Sequence, residues 1–143
     1  MKTVRDILAA KGHEVWCVDP GATVFDALGL MAEKEIGALV VMEGERVVGV
    51  LSERDYARKV VLLGRASPTT AVKEIMTSPV VYTHSEQSIE ECMALVTEKR
   101  VRHLPVMDGE RLDGMISIGD VVKATISHHE FIIEQLEHFI AGR

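Results

Sequence analysis

Three observations predict an α+β fold made of two copies of one β-α-β-β-α unit. The chain writes a strand-to-helix junction twice, as GVLSERD from Gly49 to Asp55 and as GMISIGD from Gly114 to Asp120, at an offset of 65 residues (120 − 55). The offset holds upstream without a gap, because Glu33, Lys34, Leu39, Val41, Met42, Gly44, Glu45, Arg46, Gly49, Ser52 and Asp55 all recur identically 65 residues later. A match of that length is an internal duplication. Within each copy, segments of helical period alternate with short apolar runs bounded by Gly, Asp and Pro, the pattern of small sheets covered by helices.

Taken in order, Thr3 to Ala10 reads as a short helix with Val4, Ile7 and Leu8 inward. Val15 to Val18 is a brief strand closed by Asp19-Pro20-Gly21. Thr23 caps a helix that carries Val24, Leu28, Leu30 and Met31. Strands follow at Ala38 to Met42 and Arg46 to Leu51 around the turn Glu43-Gly44-Glu45, and Ser52 opens a helix that ends at Gly64. Gly64 to Thr70 is a polar link. The order then repeats with a short helix at Val72 to Met76, a strand at Val80 to Thr83, a helix from Ser88 to Arg100, strands at His103 to Met107 and Arg111 to Ser117, and a helix from Ile118. The expected division is 1–65, 66–126 and a C-terminal helix over 127–143. In that last segment Phe131, Ile132, Leu136, Phe139 and Ile140 form an apolar stripe that either packs on its own domain or binds a second subunit.

At each duplicated junction, Ser with an acid three residues on is the sequence of a capping box, in which the two side chains satisfy orphan amides of the first helical turn. Asp in both copies, rather than the longer Glu or Gln, also permits a carboxylate turned away from the helix to accept from paired sugar hydroxyls. The two roles can coexist.

Composition narrows the function. A net charge of −6 over 143 residues argues against a nucleic-acid surface. No run approaches a membrane span and no apolar signal core follows the charged N-terminus, so a soluble, cytoplasmic protein is expected. Cys17 and Cys92 form neither a CxxC nor a metal pair and read as buried small hydrophobes, and the scattered histidines do not read as a zinc site. No nucleophile elbow, Walker loop or zinc signature is present, so an enzyme is not expected.

MTSPVV at Met76 to Val81, KRVRHLPVMDGERLDGMISIGDVV at Lys99 to Val122 and KEIGALVVMEGERVVGVLSERD at Lys34 to Asp55 resemble the two halves of a CBS-domain pair. The resemblance covers essentially the whole chain. It implies a stand-alone tandem CBS module, its repeats related by a pseudo-two-fold axis around two inter-repeat clefts, that binds an adenosine-bearing ligand: AMP first, with ADP, ATP, NAD(H) or S-adenosylmethionine as alternatives. It implies no catalytic cofactor, a homodimer, and an unidentified client protein that reads occupancy. Carried over residue by residue, one cleft joins Ser52, Arg54 and Asp55 to Thr77, Val80, Val101, Arg102 and His103. The other joins Ser117 and Asp120 to Val15, Ile36, Gly37 and Ala38.

The copies differ where a phosphate would sit. Gly37-Ala38 stand opposite Arg102-His103, and Gly119 stands opposite Arg54. Because Arg offers a planar fork that matches phosphate oxygens, the Asp55 cleft is expected to take a phosphorylated ligand. The amides and dipole of the helix start at Ser52 add to that expectation. The Asp120 cleft is expected to be weaker, empty or filled by an uncharged adenosine moiety. A passive dimerisation module without a ligand is the competing class.

Overall fold

The computed structural model describes residues 2–141, and in chain order its elements are α1 (Val4–Lys11), β1 (Cys17–Val18), α2 (Val24–Lys34), β2 (Ala38–Glu43), β3 (Arg46–Ser52), α3 (Glu53–Tyr56), α4 (Ile89–Lys99), β4 (His103–Asp108), β5 (Arg111–Ser117) and α5 (Ile118–Ile140). A π turn over Ala57–Val61 continues α3, and 3-10 turns occupy Ser67–Thr69 and Val72–Glu74. The α+β architecture of a tandem repeat is as the sequence predicts.

The residues fall into two units. The Asp55 unit gathers those within Glu14–Tyr82 and Gly109–Leu112, and the Asp120 unit those within Met1–His13, Thr83–Asp108 and Asp113–Arg143. Each unit therefore takes its leading segment from the other sequence half.

In the Asp55 unit, β2 pairs antiparallel with β3 from Ala38↔Ser52 to Glu43↔Arg46, with Val48 as the extra residue of a bulge, and β1 pairs parallel with β2. Val24, Ala27 and Met31 of α2 pack with Leu39, Val41, Leu51, Val60, Val72 and Ile75 in a core from which water is excluded. Burial of such aliphatic side chains supplies about 1.5–3 kcal/mol each. In the Asp120 unit, β4 pairs with β5, and the counterpart of β1 shrinks to one parallel bridge, Thr83↔Val106, at the position equivalent to Val18↔Val41. The strand expected over Val80 to Thr83 is reduced to that bridge. Thr83 is fully buried, donates its hydroxyl to Gln87 and lies 3.6 Å from Cys92 Sγ. Cys92 is buried as expected, and burial pushes its thiol up. Cys17 is a correction: it is exposed, because β1 is an edge strand of two residues and Cys17 lies on its outer side.

The leading segments dock by the same bonds in both units. Val72 N donates to Ala22 O and Lys73 N to Pro20 O; Val4 N donates to Gln87 O and Arg5 N to Ser85 O. The acceptors keep the 65-residue offset while the donors stand 68 apart (72 − 4). The first segment is thus longer by three residues, and α1 is a helix where Val72–Glu74 is a single 3-10 turn. The helix expected over Val72 to Met76 stops early because Thr77 is drawn into an antiparallel bridge with Val50. The segments run so close to the hairpins that a Cβ on Gly49 would stand 2.6 Å from Met76 Sδ, and one on Gly114 would stand 2.9 Å from Leu8 Cδ2.

Helices α2 and α4 both end on a residue other than glycine in the left-handed region, Glu35 (φ 54) and Arg100 (φ 55). This turn lets Ile36 N reach back to Met31 O and Val101 N to Val96 O, so that both chains re-enter the sheet in the same way. Helix α5 absorbs the tail into one continuous 23-residue helix from a Ser117 cap, and Phe131, Ile132, Ile133, Leu136, Phe139 and Ile140 stand exposed along it. Among the described residues no helix is long and apolar enough to cross a membrane.

Gly114→Ala is expected to lower stability by about 1–3 kcal/mol, since fully buried Leu8 cannot yield. Gly49→Ala should cost a similar amount, because the thioether of Met76 is adaptable but the Thr77 carbonyl oxygen, 3.2 Å from such a Cβ, is backbone. Gly29→Ala, where a Cβ meets nothing within 4 Å, should be neutral or stabilising. Urea unfolding midpoints of the three variants check this order.

Candidate functional site

Both Ser-x-x-Asp junctions leave a hairpin strand and start a helix, and in each the preceding backbone fixes the start. Glu53 N donates to Gly37 O at 3.0 Å and Ile118 N to Arg102 O at 2.8 Å, equivalent bonds in the two copies. Gly37 and Arg102 are thereby held against the junction of their own unit. Both Asp residues close true capping boxes. Ser52 N donates to Asp55 Oδ2 at 2.9 Å and Asp55 N to Ser52 Oγ at 3.2 Å; Ser117 N donates to Asp120 Oδ2 at 2.8 Å and Asp120 N to Ser117 Oγ at 3.1 Å. The capping role read from the sequence is thus filled in both copies. One oxygen of each carboxylate reaches back to its own backbone, because two otherwise orphaned amides are satisfied that way.

The second oxygen distinguishes the copies. Asp55 Oδ1 accepts from Thr77 Oγ1 at 3.2 Å and lies 3.1 Å from Lys59 Nζ, while Ser52 Oγ adds a third-party donor to Oδ2 at 3.0 Å. The four acceptor positions of the Asp55 carboxylate are filled, and the residue is 8% exposed. At Asp120, Lys11 Nζ approaches at 2.7 Å, but on Oδ2, and all bonds to Asp120 among the described residues end on that atom. Lys11 Nζ also donates to Met115 O at 2.9 Å, the carbonyl equivalent to that of Val50, which in the other unit pairs with Thr77 N. An ammonium thus stands where the other copy has an amide. Burial raises the Asp120 carboxyl, and the Lys11 and Ser117 donors outweigh it, holding the group below the usual carboxylate range. A cavity of about 220 Å³ opens beside this pair, lined by Lys2, Asp6, Ile7, Lys11, Asp120 and Lys123 among others.

Of the residues expected from sequence, the Asp55 unit holds Val15, Ile36, Gly37, Ala38, Ser52, Arg54, Asp55, Thr77 and Val80, and the Asp120 unit holds Val101, Arg102, His103, Ser117 and Asp120. Thr77 is brought to Asp55. Ala38 is buried at the start of β2, His103 is half-buried at the start of β4, and Arg54 and Arg102 are exposed. The dipole expected at Ser52 belongs to a helix of four α residues followed by a π turn, whereas Asp120 heads a 23-residue helix. Sequence reasoning missed Lys59 and Lys11. Lys59 stands four residues after Asp55, a spacing at which helical side chains meet. Lys11 is 109 residues from Asp120, and nothing local signals it. Among the described residues there is no cluster of three or more His, Cys, Asp or Glu able to hold a metal ion.

Twin capped junctions on two small sheets, with duplicated leading segments, define a tandem-repeat module of the CBS type. The CBS domain family model matches residues 4–62 and 72–127, and the chain belongs to that family, with two CBS domains in tandem. It is 36% identical over 150 residues to the mitochondrial CBS domain-containing protein CBSX3 of Arabidopsis thaliana, covering 98% of this chain and 72% of the relative. A solved CBS-domain structure from Burkholderia ambifaria is 53% identical, with a TM-score of 0.85 over 88% of this chain and 95% of that one. The CBS domain pair of protein MJ0100, solved in complex with 5'-methylthioadenosine and S-adenosyl-L-methionine, shares the fold at 18% identity, with a TM-score of 0.79 over 90% and 98% of the two chains.

A carboxyl whose titration is depressed in the folded state stabilises the fold fully above its unfolded value and ceases to do so as pH falls through its folded value. Lys11→Met should therefore cost about 0.5–1 kcal/mol at neutral pH, and the deficit should shrink in acid below the titration of Asp120 to the share of the Met115 carbonyl bond. Urea unfolding at both pH values, with carboxyl NMR titration of Asp120 moving upward in the variant, checks the sign.

Proposed function

We propose that this protein is a regulatory sensor that binds an adenosine-bearing ligand, AMP first among the candidates, and passes occupancy to a client protein. CBS pairs are in general regulatory modules for adenosyl ligands, and the MJ0100 pair holds two of them. The observation that carries the reading is the pair of Ser-x-x-Asp junctions, each with a carboxylate fixed by its own backbone and met by an ammonium, to which Asp55 adds hydroxyl donors. Such a carboxylate is preorganised to exchange those donors for sugar hydroxyls. The ligand residues we propose are Ser52, Arg54, Asp55, Thr77, Val80, Val101, Arg102 and His103, with Val15, Ile36, Gly37, Ala38, Ser117 and Asp120 as a weaker second set.

Ligand would act by binding one arrangement of the protein better than another, since equal affinity for both shifts nothing. No turnover of the nucleotide is part of this reading. The natural second subunit is another copy of the chain. The exposed stripe of α5, from Phe131 to Ile140, is the surface that favours a homodimer, because so apolar a helix face calls for cover. The cytoplasm is the compartment we expect.

Calorimetry on protein stripped of copurifying nucleotide should show saturable heat with AMP, and silence with AMP, ADP, ATP, NADH and S-adenosylmethionine alike would refute the reading. Asp55→Asn is expected to weaken AMP binding at least about tenfold, the loss of one charge-assisted contact, and more than Asp120→Asn does. Equal losses would remove the distinction between the two ends. For the dimer, Leu136→Glu should lower the mass measured by light scattering from two chains to one.

A further inference from the structure

The donors around Asp55 set a condition on anything that enters there. Of its four acceptor positions, one takes the Ser52 amide of the capping box and cannot be given up without undoing the helix start, and a second, on the same oxygen, takes the Ser52 hydroxyl. The other two lie on Oδ1, where Thr77 Oγ1 and Lys59 Nζ sit at 3.2 and 3.1 Å. A sugar diol must take its acceptors from these. The threonine hydroxyl can turn and accept from the incoming group, because it is donor and acceptor at once. The ammonium is a donor only and must move aside. Lys59 is also tied down, donating to Ile75 O at 2.9 Å, yet its side chain is 41% exposed and its long stem can carry the charge outward. The duplicate has Ala124 at this position, and there the carboxylate keeps Oδ1 without a bond among the described residues.

We infer that Lys59 is a specificity-determining residue of the Asp55 end. It competes with ligand hydroxyls for Asp55 Oδ1, and so disfavours an uncharged nucleoside while favouring one whose 5'-phosphate takes over the displaced ammonium. The inference rests on the sensor reading above and deepens it. In this light the π turn that carries Lys59 is part of the selectivity device, since Ala57–Val61 presents the ammonium to both Asp55 and Ile75.

The test measures adenosine and AMP affinity by calorimetry for the full chain, wild type against Lys59→Met and Lys59→Gln. The glutamine variant retains an amide donor for Ile75 O, so at least one variant keeps that tie, and thermal melts confirm that both are folded. The preference for AMP over adenosine should fall roughly three- to tenfold in both variants, with adenosine binding tighter than to wild type. A merely structural lysine would weaken both ligands in parallel and leave the ratio where it was. An unchanged ratio in folded variants, with wild type still binding AMP, overturns the role of Lys59 alone. A wild type that binds neither adenosine nor AMP overturns this inference, and the sensor reading falls with it only if ADP, ATP, NADH and S-adenosylmethionine are silent as well.

Discussion

The close approach of each leading segment to its hairpin is the contact on which the remaining structure depends. Leu8 and Met76 each lie over a glycine of the strand that ends in Ser-x-x-Asp, so near that no side chain fits beneath them. This contact lets a leading segment lie flat on the hairpin, hand its amides to the turn before α2 or α4, and bring polar groups to the Asp at the helix start. Because the segment in each unit comes from the other sequence half, neither half contains its own lid. A sequence half of about 65 residues would be a marginal core in any case. Exchange of leading segments turns two marginal cores into parts that complete each other.

The capping box and the chemistry of the junction draw on the same atoms. A carboxylate has two oxygens and about four acceptor positions, so each bond that fixes it subtracts from what it can offer a ligand. At Asp55 the count is complete without any ligand, and at Asp120 one oxygen is spared. Electrostatics follow the same division. Asp120 is held below the ordinary carboxylate range by a lysine brought from α1, and Asp55 is met by a lysine from its own helical segment. Each acid is neutralised in place, so neither is a bare buried charge.

What could be read from the sequence was local. The hairpins β2-β3 and β4-β5 and the Thr23, Ser52, Ser88 and Ser117 caps all follow from residues within a few positions of one another. The elements that came out shorter were decided at a distance. Val72–Glu74 gives up helix because Thr77 pairs with Val50, and Val80 to Thr83 yields only the bridge to Val106. Cys17 looked like a core residue by hydropathy, but hydropathy does not say which side of a two-residue edge strand faces water. The candidate site was legible in its acids and in Thr77. Of its lysines, Lys59 was signalled only by its spacing of four residues from Asp55, and Lys11, on a segment 109 residues from Asp120, by nothing local.

The duplication explains why these lysines could diverge without disturbing the scaffold. Every bond that builds the junction is kept in both copies: the capping box, the Gly37 or Arg102 carbonyl under the first helical amide, and the docking amides of the leading segment. The lysines that reach the carboxylate are not kept. Lys59 has Ala124 as its counterpart, and Lys11 exists only because the first leading segment runs three residues longer before Gly12 ends it. Changes at such positions alter the charge and the open acceptors of one end while the hydrogen bonds that hold the fold stay satisfied. Two ends that began identical can in this way acquire different ligand requirements on one unchanged frame.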